Sequence, residues 1–149
     1  KNLRNLHHDI KVTITAPVLE EIDISGAASF VSTGSVNAQD FEIEASGASE
    51  VVLSLKATSV SIDASGASKI NLKGQANRAI SEVSGAAKVH AQDFSADDAR
   101  LGVSGAGFTE MSVKENLDAE ASGAGNIRYY GSPRVKSHTS GAGSIRGKN

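Results

Sequence analysis

The 149 residues include no cysteine, no tryptophan, one methionine and two prolines. Without cysteine there can be neither a disulfide framework nor a thiolate metal site, and no redox compartment is excluded. With four Phe and two Tyr, any core has to be assembled from Val, Ile, Leu and Ala. No apolar run approaches the roughly 20 residues that cross a bilayer as a helix, so a transmembrane segment is not expected. The opening KNLRNLHHDIKV has neither an initiator Met nor an apolar signal-type stretch. The export signal, and a segment upstream of this chain, are therefore expected to lie outside it.

Acid is missing from one end only. Residues 1–125 hold all 17 Asp and Glu against 10 Lys and Arg, whereas residues 126–149 hold five bases, Arg128, Arg134, Lys136, Arg146 and Lys148, and no acid. The net charge of −2 conceals this asymmetry. Nucleic acid is not expected as a partner, because the chain is acidic overall and Tyr129 and Tyr130 form no stacking motif. The basic end reads as a charged rim, or as a surface for anionic envelope polymers or lipids.

What the sequence has in abundance is one corner. Ser-Gly-Ala begins at Ser25, Ser46, Ser65, Ser84, Ser104, Ser122 and Ser140, at intervals of 21, 19, 19, 20, 18 and 18 residues. The flanks repeat too. Three residues before each Ser stand Ile22, Ile43, Ile62, Ser81, Leu101, Ala119 and Ser137, and one residue before stand Ile24, Ala45, Ala64, Val83, Val103, Ala121 and Thr139. Five residues after each Ser come Phe30, Val51, Ile70, Val89, Thr109, Ile127 and Ile145. Alternation with period two marks half-buried strands. Segments such as STGSVNAQ, KGQANR and YGSPR absorb the variation in length and read as loose bends. QDFSADDARLGV allows a helix capped by Ser95, but the alternation continues through Ala99, Leu101 and Val103 and favours strand.

Recurrence of one side chain at one place every 18–21 residues is rewarded only if the repeats stack, at roughly 4.8 Å per rung. Twenty residues at about 3.3 Å give a circuit near 66 Å, suited to one coil. The expected fold is all-β: a single-stranded parallel β-helix, or β-solenoid, right-handed by the crossover rule, forming one domain over residues 1–149. A closed antiparallel barrel of hairpins is less consistent, since the corners are not Asn-Gly or Asp-Gly turns. Gly26, Gly47, Gly66, Gly85, Gly105, Gly123 and Gly141 are the expected structural corners. There glycine supplies a backbone conformation that a side chain forbids. The following Ala is expected inside the bend beneath its copy, and the Ser hydroxyls are expected to bond neighbouring backbone.

The stretch VTITAPVLEEIDISGAASF, followed by SGAS and SGAG corners from about Lys11 to Arg146, resembles the auto-transporter adhesin head domain family, also called the head GIN domain. The resemblance implies a right-handed parallel β-helix on a secreted or envelope-anchored bacterial protein: extracellular, at the cell surface or in the periplasm. It also implies adhesion, and brings no catalytic residue with it.

The most site-like pattern is the outward column Asp23, Glu44, Asp63, Glu82 and Glu120, with Glu42 and Asp118 two residues earlier in their rungs. It reads as a solvated acidic face that keeps a long sheet soluble, or as a binding surface for a basic partner or calcium. Calcium is the one cofactor considered, and no metal or catalytic residue is assigned. Glu50 and Lys69 occupy one position of adjacent rungs, as a cross-strand pair would. His7 and His8 adjoin Asp9, but neighbours on a strand face opposite ways. Arg100, near the column, keeps open a polysaccharide lyase or hydrolase, against which stands the lack of long cleft-forming loops. Ser104 in GVSGAG misses the nucleophile-elbow spacing and belongs to the repeat. The expected role is a non-catalytic structural or adhesive head that binds a glycan or a host or envelope protein through exposed sheets and variable bends. A scaffold self-assembling through its solenoid ends as a homo-oligomer is the other alternative.

Overall fold

The structure, a computed structural model, describes Lys11–Val12 and residues 20–148. His7, His8 and Asp9 lie outside the described residues. The strands are β1 (Lys11–Val12), β2 (Glu21–Ile24), β3 (Ser29–Ala45), β4 (Glu50–Ala64), β5 (Lys69–Val83), β6 (Lys88–Val103), β7 (Phe108–Ala121), β8 (Asn126–Tyr130), β9 (Arg134–Thr139) and β10 (Ser144–Lys148). All pair in parallel, in the order β1-β3-β4-β5-β6-β7-β8-β10, with β2 on β3 and β9 on β7. The chain is a parallel β-solenoid of about seven turns. The stretch that allowed a helix, around Ser95, lies within β6.

Stacking follows the columns of the sequence. Ile22, Ile43, Ile62, Ser81, Leu101, Ala119 and Ser137 are register partners rung after rung, as are Phe30, Val51, Ile70, Val89, Thr109, Ile127 and Ile145. From Ile22 to Ala119 the first of these columns is wholly buried, so each coil covers the apolar face that its neighbour cannot bury alone. At β9 the inward positions turn polar and exposed, with Ser137 and Thr139 where Ala119 and Ala121 stand one rung earlier.

The corners are part of the ladder. Ser46, Ser65, Ser84, Ser104, Ser122 and Ser140 each donate a backbone N–H to the residue before the preceding corner's Ser, and each corner Ala donates to the preceding corner Gly, at 2.7–2.9 Å. The seven corner glycines have φ between 66° and 78°, a region that L side chains enter only at a cost. A Cβ on Gly66 would also lie 2.8 Å from the carbonyl oxygen of Gly47.

Two expectations about the corner are corrected. The Ala of Ser-Gly-Ala points outward: Ala27, Ala48, Ala67, Ala86, Ala106, Ala124 and Ala142 are exposed. The buried member is the fourth residue, Ala28, Ser49, Ser68, Ala87, Gly107 or Gly125, because the positive φ at Gly turns the next side chain out and the one after it in. Hydroxyl bonding shifts accordingly. Ser49 Oγ donates to Ser46 O at 3.0 Å, and Ser68 Oγ lies 2.9 Å from Ser65 O and 3.2 Å from Ala45 O. The first Ser contributes a single long contact, from Ser104 Oγ to Val83 O at 3.5 Å.

The loose bends are also more ordered than expected. Asn37, Lys56, Gln75 and Ser95 stay in register, as do Ala38, Ala57, Ala76, Ala96 and Val113. Length variation is confined to register shifts at Val31/Ser35, Asn71/Gly74, Ala91/Ser95 and Ala96/Asp98. A further inward wall therefore closes the coil, with Phe94 fully buried beside one of the shifts.

Candidate functional site

Outward-facing residues at fixed places in the coil form charged columns, and three places concentrate chemistry. The first is the acidic column, where Asp23, Glu44 and Asp63 are register neighbours, followed by Glu82, Gly102 and Glu120. Glu82 leans across the gap, so that a Cβ on Gly102 would meet its Oε2 at 2.5 Å. A polar notch of about 170 Å³ opens there, lined in part by Arg100, Asp118 and Ser104. Among the described residues, no three His, Cys, Asp or Glu side chains are grouped to hold a metal ion.

Burial pushes the Glu44 carboxyl above its usual range, and the carboxylates of Asp23, Glu42, Asp63 and Glu21 push it the same way. The folded chain therefore holds this proton to a higher pH than the unfolded chain does. Stability falls as pH rises through the window between the two values, and above it ionised Glu44 opposes folding in full. Glu44→Gln is expected to raise the melting temperature at pH 7, with the gain fading as pH drops below about 4, near the unfolded carboxyl value. An equal gain at both pH values would show that charge is not the cause.

The second place lies on the strands that leave the corners. Glu110, only 9% exposed, accepts from or faces three side chains on neighbouring rungs. His90 Nδ1 is 2.8 Å from Oε1, the Tyr130 hydroxyl donates to Oε2 at 3.2 Å, and Arg128 Nη1 stands 3.8 Å from Oε2. Phe108 is flanked by the His90 ring and the Arg128 guanidinium, each 5.5 Å from its ring centre. With both carboxylate oxygens engaged, the cluster ties β6, β7 and β8 together. The sequence did carry a signal for it: counting six residues after each corner Ser gives His90, Glu110, Arg128 and Arg146 on successive rungs.

The third place is a furrow on the strands that approach the corners. Arg78, Asp98, Asn116 and Arg134 form one outward column, and Ile80, Arg100, Asp118 and Lys136 form another two residues away. Between them runs a trough of about 550 Å³ floored by the backbone of the intervening residues, since the side chains of Ala79, Ala99 and Leu117 are buried in the core. Val135, at 40%, is the exposed large hydrophobic of the described residues. Asn116 Nδ2 donates to Asp98 Oδ1 at 2.6 Å. Among the described residues, Arg78, Arg100, Arg134 and Lys136 enter no ion pair.

At the other end of the same face the columns are acidic, and Glu20, Glu21, Asp40 and Glu42 border a hollow of about 330 Å³. Ser59 and Ser61 separate the two halves. The basic tail is thus split between faces. Arg134 and Lys136 join the furrow, Arg128 joins Glu110, and Arg146 stacks on Arg128 while its Nε donates to Ser144 Oγ at 3.1 Å. Glu50 and Lys69 are register neighbours but form no ion pair.

No helix of the described residues is long and apolar enough to cross a membrane. The family model described as putative auto-transporter adhesin, head GIN domain, matches residues 1–133. Among solved structures, a putative adhesin from Bacteroides fragilis NCTC 9343 is similar with 25% identity and a TM-score of 0.84, over 89% of this chain and 62% of that one. Putative adhesins from Parabacteroides merdae ATCC 43184 (21% identity, TM-score 0.69) and Parabacteroides distasonis ATCC 8503 (22%, 0.71) share the fold, each over 87% of this chain and 64% of theirs. The chain therefore spans less than two thirds of the length of these relatives. Comparison with curated proteins finds no match.

Proposed function

Since this chain belongs to the auto-transporter adhesin head GIN domain family, we propose that it is a non-catalytic adhesive head of an exported bacterial envelope protein. In this reading it binds a glycan or a host or envelope protein through its outer faces. The observation that carries this reading is the division of labour between columns. Inward places are apolar on most rungs, whereas an outward place runs Ser29, Glu50, Lys69, Lys88, Phe108, Asn126 and Ser144. A fixed interior holding a varied exterior suits recognition on a rigid rod. The auto-transporter name of the family supports a surface or exported location.

Catalysis finds less support. Among the described residues no long loop roofs the notch that brings Arg100 near Asp118 and Glu120, because within β6 and β7 the bends are themselves paired strand.

The test is binding of the immobilised chain to panels of glycans and of host and bacterial-surface proteins, with glycan chain length followed in parallel. Saturable binding with chain length unchanged supports the reading. Depolymerisation of any glycan overturns it in favour of a lyase or hydrolase, and failure to bind either panel removes the adhesive role.

A further inference from the structure

We propose that the furrow between the Arg78 and Arg100 columns binds a linear acidic polysaccharide, laid along the solenoid axis with its carboxylates on Arg100, Lys136, Arg78 and Arg134. This deepens the adhesive reading and rests on it. Four cations that enter no ion pair among the described residues line one trough together with two carboxylates, Asp98 and Asp118, an excess of two positive charges in a protein whose net charge is −2, so the trough presents local positive potential.

Their spacing follows from the rungs. Arg100 and Lys136 sit two rungs apart in one column, about 10 Å, and Arg78 and Arg134 three rungs apart in the other, about 14 Å. A pyranose ring advances along an extended chain by a length close to one rung, so charges on alternate sugars meet alternate rungs. Two of the cations, Arg134 and Lys136, lie beyond the residues that match the family model. The furrow is thus partly a feature of this chain's own last coils.

The rest of the lining separates a charged sugar chain from other polyanions. Asp98 and Asp118 stand in the same trough. They accept hydrogen bonds from sugar hydroxyls, which the phosphodiesters of a nucleic acid, having no donor, cannot offer. No aromatic ring lines the trough for bases to stack on. Ile80, half-buried in the Arg100 column, offers apolar surface to the C–H face of a ring. A neutral glycan would leave the four cations without a role.

The experiment titrates the whole chain with a linear β-linked hexamannuronate, with its carboxyl-reduced neutral counterpart, with single-stranded DNA and with vesicles of anionic lipid. Arg100→Ala/Lys136→Ala is compared with Lys69→Ala/Lys88→Ala, which removes the same charge from another face of the coil. All four side chains are exposed, and thermal melts verify that both variants fold.

The proposal expects hexamannuronate to bind, more weakly as salt rises, and the reduced chain not to bind. Arg100→Ala/Lys136→Ala is expected to weaken binding about fivefold, as loss of two solvent-screened contacts should, while Lys69→Ala/Lys88→Ala leaves it unchanged. The proposal is overturned by absence of hexamannuronate binding, by equal loss in both variants, or by tighter binding of DNA or vesicles. It is equally overturned by a dimer that the furrow substitutions abolish, which would assign the basic half to the acidic half of a second copy. If the chain adheres to other glycans or proteins regardless of Arg100 and Lys136, the furrow assignment falls and the adhesive head stands. If it binds nothing in either experiment, both fall.

Discussion

Gly66→Val is expected to destabilise the chain by roughly 3 kcal/mol or more, the sum of two costs. Gly66 has φ +68°, and placing a β-branched residue there costs about 1–2 kcal/mol in backbone strain alone. The new Cβ would also lie 2.8 Å from Gly47 O and 3.0 Å from Gly47 N, so that one corner has to lift off the other. Two ladder bonds meet at this point, Ala67 N–H to Gly47 O at 2.8 Å and Ala86 N–H to Gly66 O at 2.9 Å. Lengthening them costs about 1 kcal/mol each. For a chain of this length, the loss corresponds to a fall of roughly 6–12 °C in melting temperature. Ala67→Ser next door, at an exposed position, serves as the control and should shift stability by less than about 0.5 kcal/mol. A melting temperature unchanged by Gly66→Val would falsify the stacked-corner account.

Thr109→Val is expected to act in the opposite direction, raising stability by about 1–2 kcal/mol, the cost of a buried hydroxyl left unpaired. Thr109 is fully buried, and its Oγ1 has no hydrogen-bond partner. Its register neighbours are Val89 and Ile127, and the same place holds Val51 and Ile70 on earlier rungs. Valine matches threonine in shape and carries a methyl where the hydroxyl has nothing to bond. Ser81, between Ile62 and Leu101, is another case of a buried hydroxyl without a partner. There the side chain is also too small for its column, so a larger apolar replacement would change packing as well as polarity. Chemical denaturation checks the Thr109 prediction. A stability equal to or below that of the parent chain would mean that the hydroxyl has a bonding partner in solution.

Much of the fold could be read from positions counted outward from the corner. Residues one and three before the Ser, and five after it, are equidistant from the corner in every rung, so their columns align without any structural knowledge. The further wall did not appear in that count. Ala38, Ala57, Ala76, Ala96 and Val113 stand 13, 11, 11, 12 and 9 residues after their own corner. Counted back from the following corner they stand 8, 8, 8, 8 and 9 residues away. All but one of the register shifts fall before this wall, the exception at Ala96/Asp98 lying just after it, so only the second count finds it, with Val113 off by one. Likewise the furrow columns stand six and four residues before each corner, and the Glu110 network six after it.

What the sequence by itself determined is the period, the register, the parallel stacking and the identity of the inward columns flanking each corner. These follow from a local constraint, since a glycine at positive φ fixes each bend and apolar alternation fixes which side chains enter. The tertiary structure alone decided which corner residue is buried, because that depends on where the chain points after the turn. It also decided which charges meet. Arg78, Arg100 and Lys136 lie 22 and 36 residues apart in the chain, and stacking at one rung per circuit brings them to a single furrow. Separation in sequence says nothing of that distance until the number of residues in each coil, and the place where each coil takes up its extra residues, have been set by packing.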